Sequence, residues 1–197
     1  MMNIQITEES ITAATELVHV PIAFEVETVF DVSPRDAGLG GLTLSERRLD
    51  IPYMKDYDTI VSESPTQWSE RFDVSNWGLI VARSNGTLVG GAVVAFNTEG
   101  MSMLEGRRDL AVLWDMRVLP ELRGRGVGSA LFRAVEAWAA ARGCKQLKIE
   151  TQNINVPACR FYARQGCVLG AINRFAYQEL PDEVQLLWYK TIPPPTG

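Results

Sequence analysis

Histidine and cysteine are scarce in this chain, and their scarcity limits the chemistry that it can carry out. Among 197 residues there is one histidine, His19, and there are three cysteines, Cys144, Cys159 and Cys167. An odd cysteine number without a Cys-x-x-Cys spacing argues against a disulfide framework or a zinc knuckle. One histidine excludes multi-histidine metal sites. We therefore expect no metal, buried free thiols, and acid–base chemistry from carboxylates, tyrosine, lysine or water.

Long apolar runs and a basic excess are also missing. No run approaches the roughly 18 to 20 residues that span a bilayer, and the first residues lack signal-peptide features, so we expect a cytoplasmic protein without membrane contact. The net charge of −5 argues against a nucleic-acid binder, because phosphate binding needs a basic face. Residues 1–98 hold 14 acidic and 6 basic side chains, and residues 99–197 hold 10 and 13. An acidic half suits a cationic ligand and a basic half an anionic one, although both can be solvated surface.

The length and the hydrophobic pattern predict a single domain over 1–192, followed by a fraying proline-rich tail over 193–197. The N-terminal third has weak patterns. They predict, in chain order, a strand over 3–6, a short helix over 11–18, an extended segment over 22–32 and a loop with a helical turn over 36–64.

From residue 77 the patterns are stronger and predict a mixed sheet with helices packed on it. A hairpin over 79–83 and 88–96 turns at an Asn-Gly pair. The later elements are a strand over 110–118, a helix from Val127 that Gly143 ends, a strand over 147–151, a helix from about 156 that Asn155 caps and Gly166 ends, and strands over 168–172 and 184–190. The first helix should bury a face made of Val127, Leu131, Ala134, Val135, Trp138 and Ala141. The strand–helix–strand unit should be right-handed with parallel strands.

The glycine-rich stretch between the 110–118 strand and the next helix predicts a phosphate site. Gly124, Gly126 and Gly128 let the backbone approach a ligand closely, and Arg123 and Arg125 add positive charge. Unpaired N–H groups at the start of the helix complete a site that suits a pyrophosphate. A turn that merely needs a positive φ usually requires only one glycine.

The spacing of this stretch helps to choose among phosphate ligands. The Walker pattern is absent, and the dinucleotide fingerprint is matched only loosely. Glu150 lies near the position of a ribose-binding acid, so a Rossmann oxidoreductase stays an alternative. A hairpin and a third strand precede the motif, however, whereas the fingerprint normally follows the first strand of its domain.

Two motifs in the right order resemble the GNAT superfamily of N-acetyltransferases. The acyl-CoA signature Arg/Gln-x-x-Gly-x-Gly/Ala matches Arg123 to Gly128, and the later pattern Asn-x-x-Ala-x-x-aromatic-Tyr-x-x-x-Gly matches Asn155 to Gly166, with Tyr162 at its tyrosine. The resemblance covers 77–190. Within the family, the segments 147–159, 166–174 and 182–190 are similar to streptothricin acetyltransferases.

This resemblance implies a mixed α/β (α+β) fold, with a mostly antiparallel sheet, a central pair of parallel strands and flanking helices. It implies acetyl-CoA as cosubstrate and a possible homodimer. The acceptor would be a primary amine of a small cationic molecule such as the β-lysine part of streptothricin. The implied cofactor-binding residues are Met116, Arg117, Val118, Arg123, Gly124, Arg125, Gly126, Val127, Gly128, Ser129 and Asn155.

Acetyl transfer to an amine also needs an acid and a base. The resemblance implies that Tyr162, at the family's tyrosine position, would protonate the departing sulfur, unless it is a core aromatic beside Phe161. A base is needed because an ammonium with a pKa near ~10.4 must give up a proton to a carboxylate or to a bound water. Asp115 is the first candidate, because the run 114–118 resembles the family's central strand, where some antibiotic acetyltransferases place an acid near the acetyl group, and Glu150 on the parallel strand is the second. The alternative for each carboxylate is an ion pair, Asp115 with Arg117 and Glu150 with Lys148.

The acceptor pocket must come from the N-terminal half. Acidic and aromatic side chains could hold a cation there, although any one of them can equally be core or solvated surface. The candidates are Trp68, Phe72, Trp77, Glu25, Glu27, Asp31, Asp56 and Asp58. Other functions that stay open are acetylation of a polyamine, an aminoglycoside or a peptide N-terminus, and a non-catalytic CoA-binding sensor module.

Overall fold

The computed structural model describes residues 3–60 and 64–193. The strands are β1 (Ile4–Glu9), β2 (Phe24–Pro34), β3 (Leu42–Lys55), β4 (Gly78–Ser84), β5 (Thr87–Phe96), β6 (Leu110–Val118), β7 (Gln146–Gln152), β8 (Val168–Asn173) and β9 (Gln185–Thr191). The α-helices are α1 (Trp68–Arg71), α2 (Val127–Ala141) and α3 (Val156–Arg164). Short 3-10 helices cover Ile11–His19, Asp36–Gly38, Tyr57–Thr59, Ser102–Leu104 and Pro120–Leu122.

The chain divides into two compact units. Of the described residues, the first contains 3–22, 56–60, 64–149 and 190–193, and the second contains 23–55 and 150–189. A unit defined by its contacts need not be a separately folding domain, so one domain over 1–192 stays a prediction. Of the predicted tail, residues 194–197 lie outside the described part of the chain.

The first unit is built on strands in the order β1-β4-β5-β6-β7. The β1–β4, β4–β5 and β5–β6 pairs are antiparallel. β6 and β7 are parallel, with 110–113 opposite 146–149. The mixed, mostly antiparallel sheet with a parallel pair is therefore confirmed, and so is the hairpin, in which Ser84 pairs with Thr87 around Asn85 and Gly86 at positive φ.

Helix α2 covers the sheet of the first unit and packs against β4, β5 and β6. Its buried residues are Val127, Leu131, Phe132, Val135, Trp138 and Ala139. Four of the six predicted positions are among them, but Ala134 is only half-buried and Ala141 is exposed. The helix approaches β4 closely at Gly78. A Cβ added there would lie 2.3 Å from Cε2 of Trp138, so only glycine fits.

The second unit contains the β2–β3 ribbon, helix α3, the end of β7, and the antiparallel pair of β8 and β9. Helix α3 packs against β2. The start of α3, the strand over 168–172 and the strand over 184–190 agree with their predictions to within about two residues. All three cysteines are free and buried, as expected.

The loop predicted over 36–64 is wrong. Its middle, Leu42–Lys55, is the long strand β3, which pairs antiparallel with β2. Helical turns are present on either side as the 3-10 helices Asp36–Gly38 and Tyr57–Thr59, and residues 61–63 lie outside the described part. Nearly every β3 side chain is exposed, so the sequence shows none of the apolar alternation that marks a half-buried strand. The short helix predicted over 11–18 exists as a 3-10 helix that Ser10 caps.

Candidate functional site

Strand β6 changes its pairing at its centre. Leu113 and Asp115 lie opposite the consecutive residues Val94 and Val93 of β5, so Trp114 is an extra residue, a β-bulge. The parallel register with β7 stops at Leu113 among the described residues, while β6 continues to Val118. The backbone beyond Leu113 can therefore offer its polar groups to another partner along that edge.

The last three residues of β6 are among those that the family resemblance implies to contact the cofactor. Met116, Arg117 and Val118 lie opposite Ala92, Gly91 and Gly90 of β5 on the other edge. A Cβ added to Gly90 would lie 2.8 Å from the carbonyl oxygen of Arg117. The glycine lets β5 and the end of β6 approach closely.

The glycine-rich stretch forms an open turn at the N-terminus of α2. Gly124 and Gly126 have φ values of 75° and 89°, and Gly126 is the residue that precedes the helix. No side chain caps the helix there. The Ala130 N–H donates to the Gly126 carbonyl, and the amides of Val127 and Gly128 come before Ala130 in the first turn of the helix. A Cβ added to Gly124 or Gly126 would meet no atom within 4 Å, so the turn has room for a diphosphate.

The two arginines of this stretch differ in their surroundings. Arg123 donates from Nε to the Val118 carbonyl at 3.0 Å and from Nη2 to the Pro21 carbonyl at 2.9 Å. Both residues are exposed, but partial burial of the Arg123 guanidinium lowers the pKa of Arg123. The guanidinium of Arg123 therefore ties the turn to β6 and to the N-terminal segment, and the side chain of Arg125 stands in solvent.

Asp115 forms a buried ion pair. Both carboxylate oxygens accept from Arg117, from Nε at 2.8 Å and from Nη2 at 2.7 Å, and the two side chains are 6% and 1% exposed. This is the pairing that the sequence left as the alternative for Asp115. A carboxylate whose charge is balanced by a guanidinium attracts a substrate ammonium less than a carboxylate without a cationic partner does.

Arg117 also binds groups from the N-terminal part of the first unit. Its Nη1 donates to Asp58 at 3.0 Å and to the carbonyls of Leu17 and Val20 at 3.4 and 3.3 Å. Burial alone would lower the pKa of Arg117, but the hydrogen bonds and charges of Asp115 and Asp58 outweigh it and raise the pKa. The guanidinium stays charged and joins three chain segments.

Glu150 and Lys148 are not partners of each other. Lys148 donates to Glu105 at 2.7 Å and to the Met103 carbonyl at 3.2 Å. Glu150 accepts from the Tyr177 hydroxyl and from Gln185, both at 2.6 Å. The ion pair that the sequence left as the alternative for Glu150 is therefore not formed.

Tyr162, the candidate acid, lies on helix α3. The helix begins after Asn155, whose Oδ1 accepts from the Ala158 N–H at 3.2 Å. Tyr162 is 7% exposed, and its ring packs edge-on against Phe161 with centroids 5.1 Å apart. The burial expected of a core aromatic beside Phe161 is thus present.

The cap at Asn155 makes a measurable prediction for stability. Asn155→Ala is expected to destabilise the protein by about 1 kcal/mol, because the N–H of Ala158 loses its acceptor. Thermal unfolding should show a melting temperature lower by roughly 2–4 °C. Asn155→Asp keeps a capping oxygen and should restore most of this loss; equal melting temperatures for the two variants would contradict the role of the cap.

The aromatic candidates for the acceptor pocket lie in the core of the first unit. Trp68 and Trp77 are buried, and Trp77 donates to Thr98 at 2.8 Å. The rings of Phe72, Trp77 and Trp114 pack against one another in tilted or edge-on contacts, with centroids 5.4 to 5.8 Å apart. Trp114 is half-buried, so this cluster reaches the bulge of β6.

The acidic candidates are in different surroundings. In the first unit, Asp56 caps the Tyr57–Thr59 turn and Asp58 binds Arg117. In the second unit, Asp31 pairs with Arg47 on the surface, and Glu25 and Glu27 are exposed.

Sequence reasoning missed Tyr177 and the roles of Trp114 and Asp58. The bulge depends on the register with β5, and Asp58 and Tyr177 lie 59 and 27 residues from their partners. The sequence did single out the acidic segment that contains Asp56 and Asp58, but it gave no sign that Asp58 binds Arg117.

Comparison with known proteins identifies the class to which this fold and site belong. The model of the acetyltransferase (GNAT) family matches residues 46–167. Since this is more than half of the chain, the protein belongs to the GNAT family and is an acetyltransferase by fold and family.

Relatives within the family share a particular activity by name. The chain is 30% identical to streptothricin acetyltransferase A of Bacillus subtilis (strain 168), over 76% of this chain and 80% of the relative. It is 32% identical to a streptothricin acetyltransferase of Escherichia coli, over 84% of each chain. The crystal structure of nourseothricin acetyltransferase superposes with a TM-score of 0.75 at 26% identity, covering 96% of this chain and 99% of the other.

Two findings concern groups that the sequence predicts to be absent. Within 3–60 and 64–193, no three His, Cys, Asp or Glu side chains form a group that could hold a metal ion. Across the same residues, no helix combines the length and apolar character of a membrane-spanning segment.

Proposed function

We propose that the protein transfers the acetyl group of acetyl-CoA to a primary amine of a small cationic molecule, with streptothricin and its β-lysine amine as the first choice. The observation that carries this proposal is the open turn at Gly124 and Gly126, which follows β6 after the 3-10 helix Pro120–Leu122. Among the described residues, the parallel register of β6 with β7 stops at Leu113 and leaves that edge of β6 for a ligand. The names of the relatives at 30% and 32% identity support the choice of acceptor. The reaction would take place in the cytoplasm, where acetyl-CoA is available, and its product would be an acetylated antibiotic.

The cofactor would be held mainly by backbone groups. The amides of 124–129 would bind the diphosphate, since positive φ at Gly124 and Gly126 turns the chain around an open space. The exposed Arg125 would add charge, and Arg123 would hold the turn to Val118 and Pro21. The edge of β6 at Met116, Arg117 and Val118 would bind the pantetheine amides as a neighbouring strand does, and Asn155 would contact the same arm.

The reaction needs a proton to leave nitrogen and a proton to reach sulfur. When bound, acetyl-CoA supplies the thioester carbon to which the amine nitrogen forms its new bond as the carbon–sulfur bond breaks. Tyr162 would donate its hydroxyl proton to the sulfur, which suits a phenol with a pKa near ~10 and a thiolate leaving group. A backbone N–H near Met116 would stabilise the charge on the acetyl oxygen.

Glu150 is the better of the two candidate bases. Both oxygens of Asp115 are bonded to Arg117, whereas Glu150 accepts only from neutral groups. A carboxylate without a cationic partner can attract the ammonium and take its proton. We therefore assign proton transfer to Glu150 and give Asp115 the role of holding Arg117.

A free-thiol assay with acetyl-CoA tests the proposal. The amines to compare are streptothricin, spermidine, an aminoglycoside and a peptide with a free N-terminus, with streptothricin that is already acetylated as the blank. We expect the largest kcat/KM for streptothricin. A larger value for another amine would overturn the choice of acceptor, and thiol release no faster than hydrolysis with every amine would overturn the catalytic function in favour of a CoA-binding module.

A further inference from the structure

The segment between β8 and β9 brings a tyrosine to Glu150. The hydroxyl of Tyr177 donates to Oε1 of Glu150 at 2.6 Å, and Nε2 of Gln185 on β9 donates to Oε2 at 2.6 Å. Gln152 lies beside them, with its Nε2 3.1 Å from the Tyr177 hydroxyl and 3.5 Å from Oε1. Each carboxylate oxygen is thus held by a short hydrogen bond from a different element of the second unit.

These donors hold the carboxylate without neutralising it. In the described part of the chain no lysine or arginine forms an ion pair with Glu150, and nearby Lys55 of the same unit pairs with Glu183. Each oxygen has two acceptor positions and one strong donor, so capacity is left for a substrate N–H. The half-buried carboxylate therefore combines a fixed orientation with an unbalanced negative charge.

Hydrogen bonds of the backbone hold the segment that carries Tyr177, and the hydroxyl stays a donor. The Leu180 N–H bonds to the Tyr177 carbonyl at 3.4 Å, the Glu183 N–H to the Leu180 carbonyl at 2.9 Å, and the Val184 N–H to Oδ1 of Asn153 at 2.7 Å. Burial, together with the charge of Glu150, raises the pKa of Tyr177 above its usual range. The phenol therefore keeps its proton throughout the pH range in which enzymes are assayed.

We infer that Tyr177 is a positioning residue for acetyl transfer, which fixes the carboxylate of Glu150 in the orientation that receives the proton of the acceptor amine. The inference rests on the proposed function. The proton passes from the ammonium to Glu150 and then to solvent, and Tyr177 gives up no proton. Gln185 holds the second oxygen in the same way.

A double-mutant cycle separates this role from a structural one. Tyr177→Phe removes one hydrogen bond to a charged group, and we expect kcat/KM for the acceptor to fall about tenfold in the wild-type background, mostly in kcat. In the Glu150→Gln background the same change should cost less than about twofold, because Tyr177 then has no base to position. Tyr53→Phe removes a phenol hydroxyl of β3 in the same unit and serves as the matched control.

Each outcome of this cycle decides something. Equal losses in both backgrounds, or no loss in either, would overturn the positioning role. If Glu150→Gln turned over as fast as the wild-type protein, Glu150 would not be the base and the inference would fail with it. A wild-type protein without turnover on any amine would instead overturn the proposed function. Melting temperatures and the KM for acetyl-CoA should stay near wild type; if Tyr177→Phe does not fold, Gln185→Met gives the same test.

Discussion

Tyr162→Phe is expected to lower kcat for acetyl transfer by roughly 10²–10⁴-fold, the usual contribution of a general acid. The ring of Tyr162 is buried against Phe161, and phenylalanine keeps that packing. The affinity for acetyl-CoA should therefore stay within about twofold of wild type. Steady-state kinetics with streptothricin and calorimetric titration with acetyl-CoA measure the two quantities.

The control for this variant is a tyrosine of the same unit that has no catalytic assignment. Tyr189 lies on β9, where its ring fills the space in front of Gly170, and Tyr189→Phe should leave both quantities near wild type. If Tyr162→Phe kept full kcat, the sulfur would take its proton from another group. If it lost acetyl-CoA affinity in proportion to kcat, Tyr162 would be a binding residue rather than an acid.

The local parts of the fold could be predicted from the sequence because their signals lie within a few residues. Asn155 and Gly166 mark the two ends of α3, and the Asn-Gly turn marks the β4–β5 hairpin. The apolar spacing of α2 predicted most of its buried face, since helix periodicity does not depend on what the helix packs against. The glycine turn was found in the same way, from residues adjacent in the chain.

The parts that failed depend on distant pairing. Strand β3 exists through its backbone bonds to β2 and exposes nearly all its side chains, so no apolar pattern announces it. The bulge at Trp114 arises from the register with β5. From the sequence, each carboxylate could pair with a cation two positions away in the chain. The pair of Asp115 with Arg117 is formed, whereas Glu150 does not pair with Lys148. Only the packed structure shows that Lys148 turns to Glu105.

This difference explains why the two candidate bases exchange their order. On β6, Asp115 and Arg117 are both buried, and a buried arginine needs a carboxylate. On β7, Lys148 finds a partner on the loop before β6, and Glu150 is left with Tyr177, Gln152 and Gln185. Whether each carboxylate is neutralised depends on which acceptor the neighbouring cation contacts. The residue types alone do not determine that contact.

Gly126→Val is expected to lower the affinity for acetyl-CoA by at least about 100-fold. Gly126 has a φ of 89° in front of α2, and a branched side chain there would occupy the open space that we assign to the diphosphate. It would also strain the backbone by about 1–3 kcal/mol, because L side chains rarely adopt this conformation. The binding loss must therefore be separated from a loss of stability.

The other end of the same helix offers the matched control. Gly143 follows α2 with a φ of 74°, and a Cβ there also meets no atom within 4 Å. Gly143→Val should carry a similar backbone strain and a similar drop in melting temperature, yet bind acetyl-CoA like the wild-type protein. Saturating acetyl-CoA should then raise the melting temperature of Gly143→Val and leave that of Gly126→Val unchanged. Equal protection of the two variants would show that the diphosphate binds elsewhere, since the strain is common to both and only the position differs.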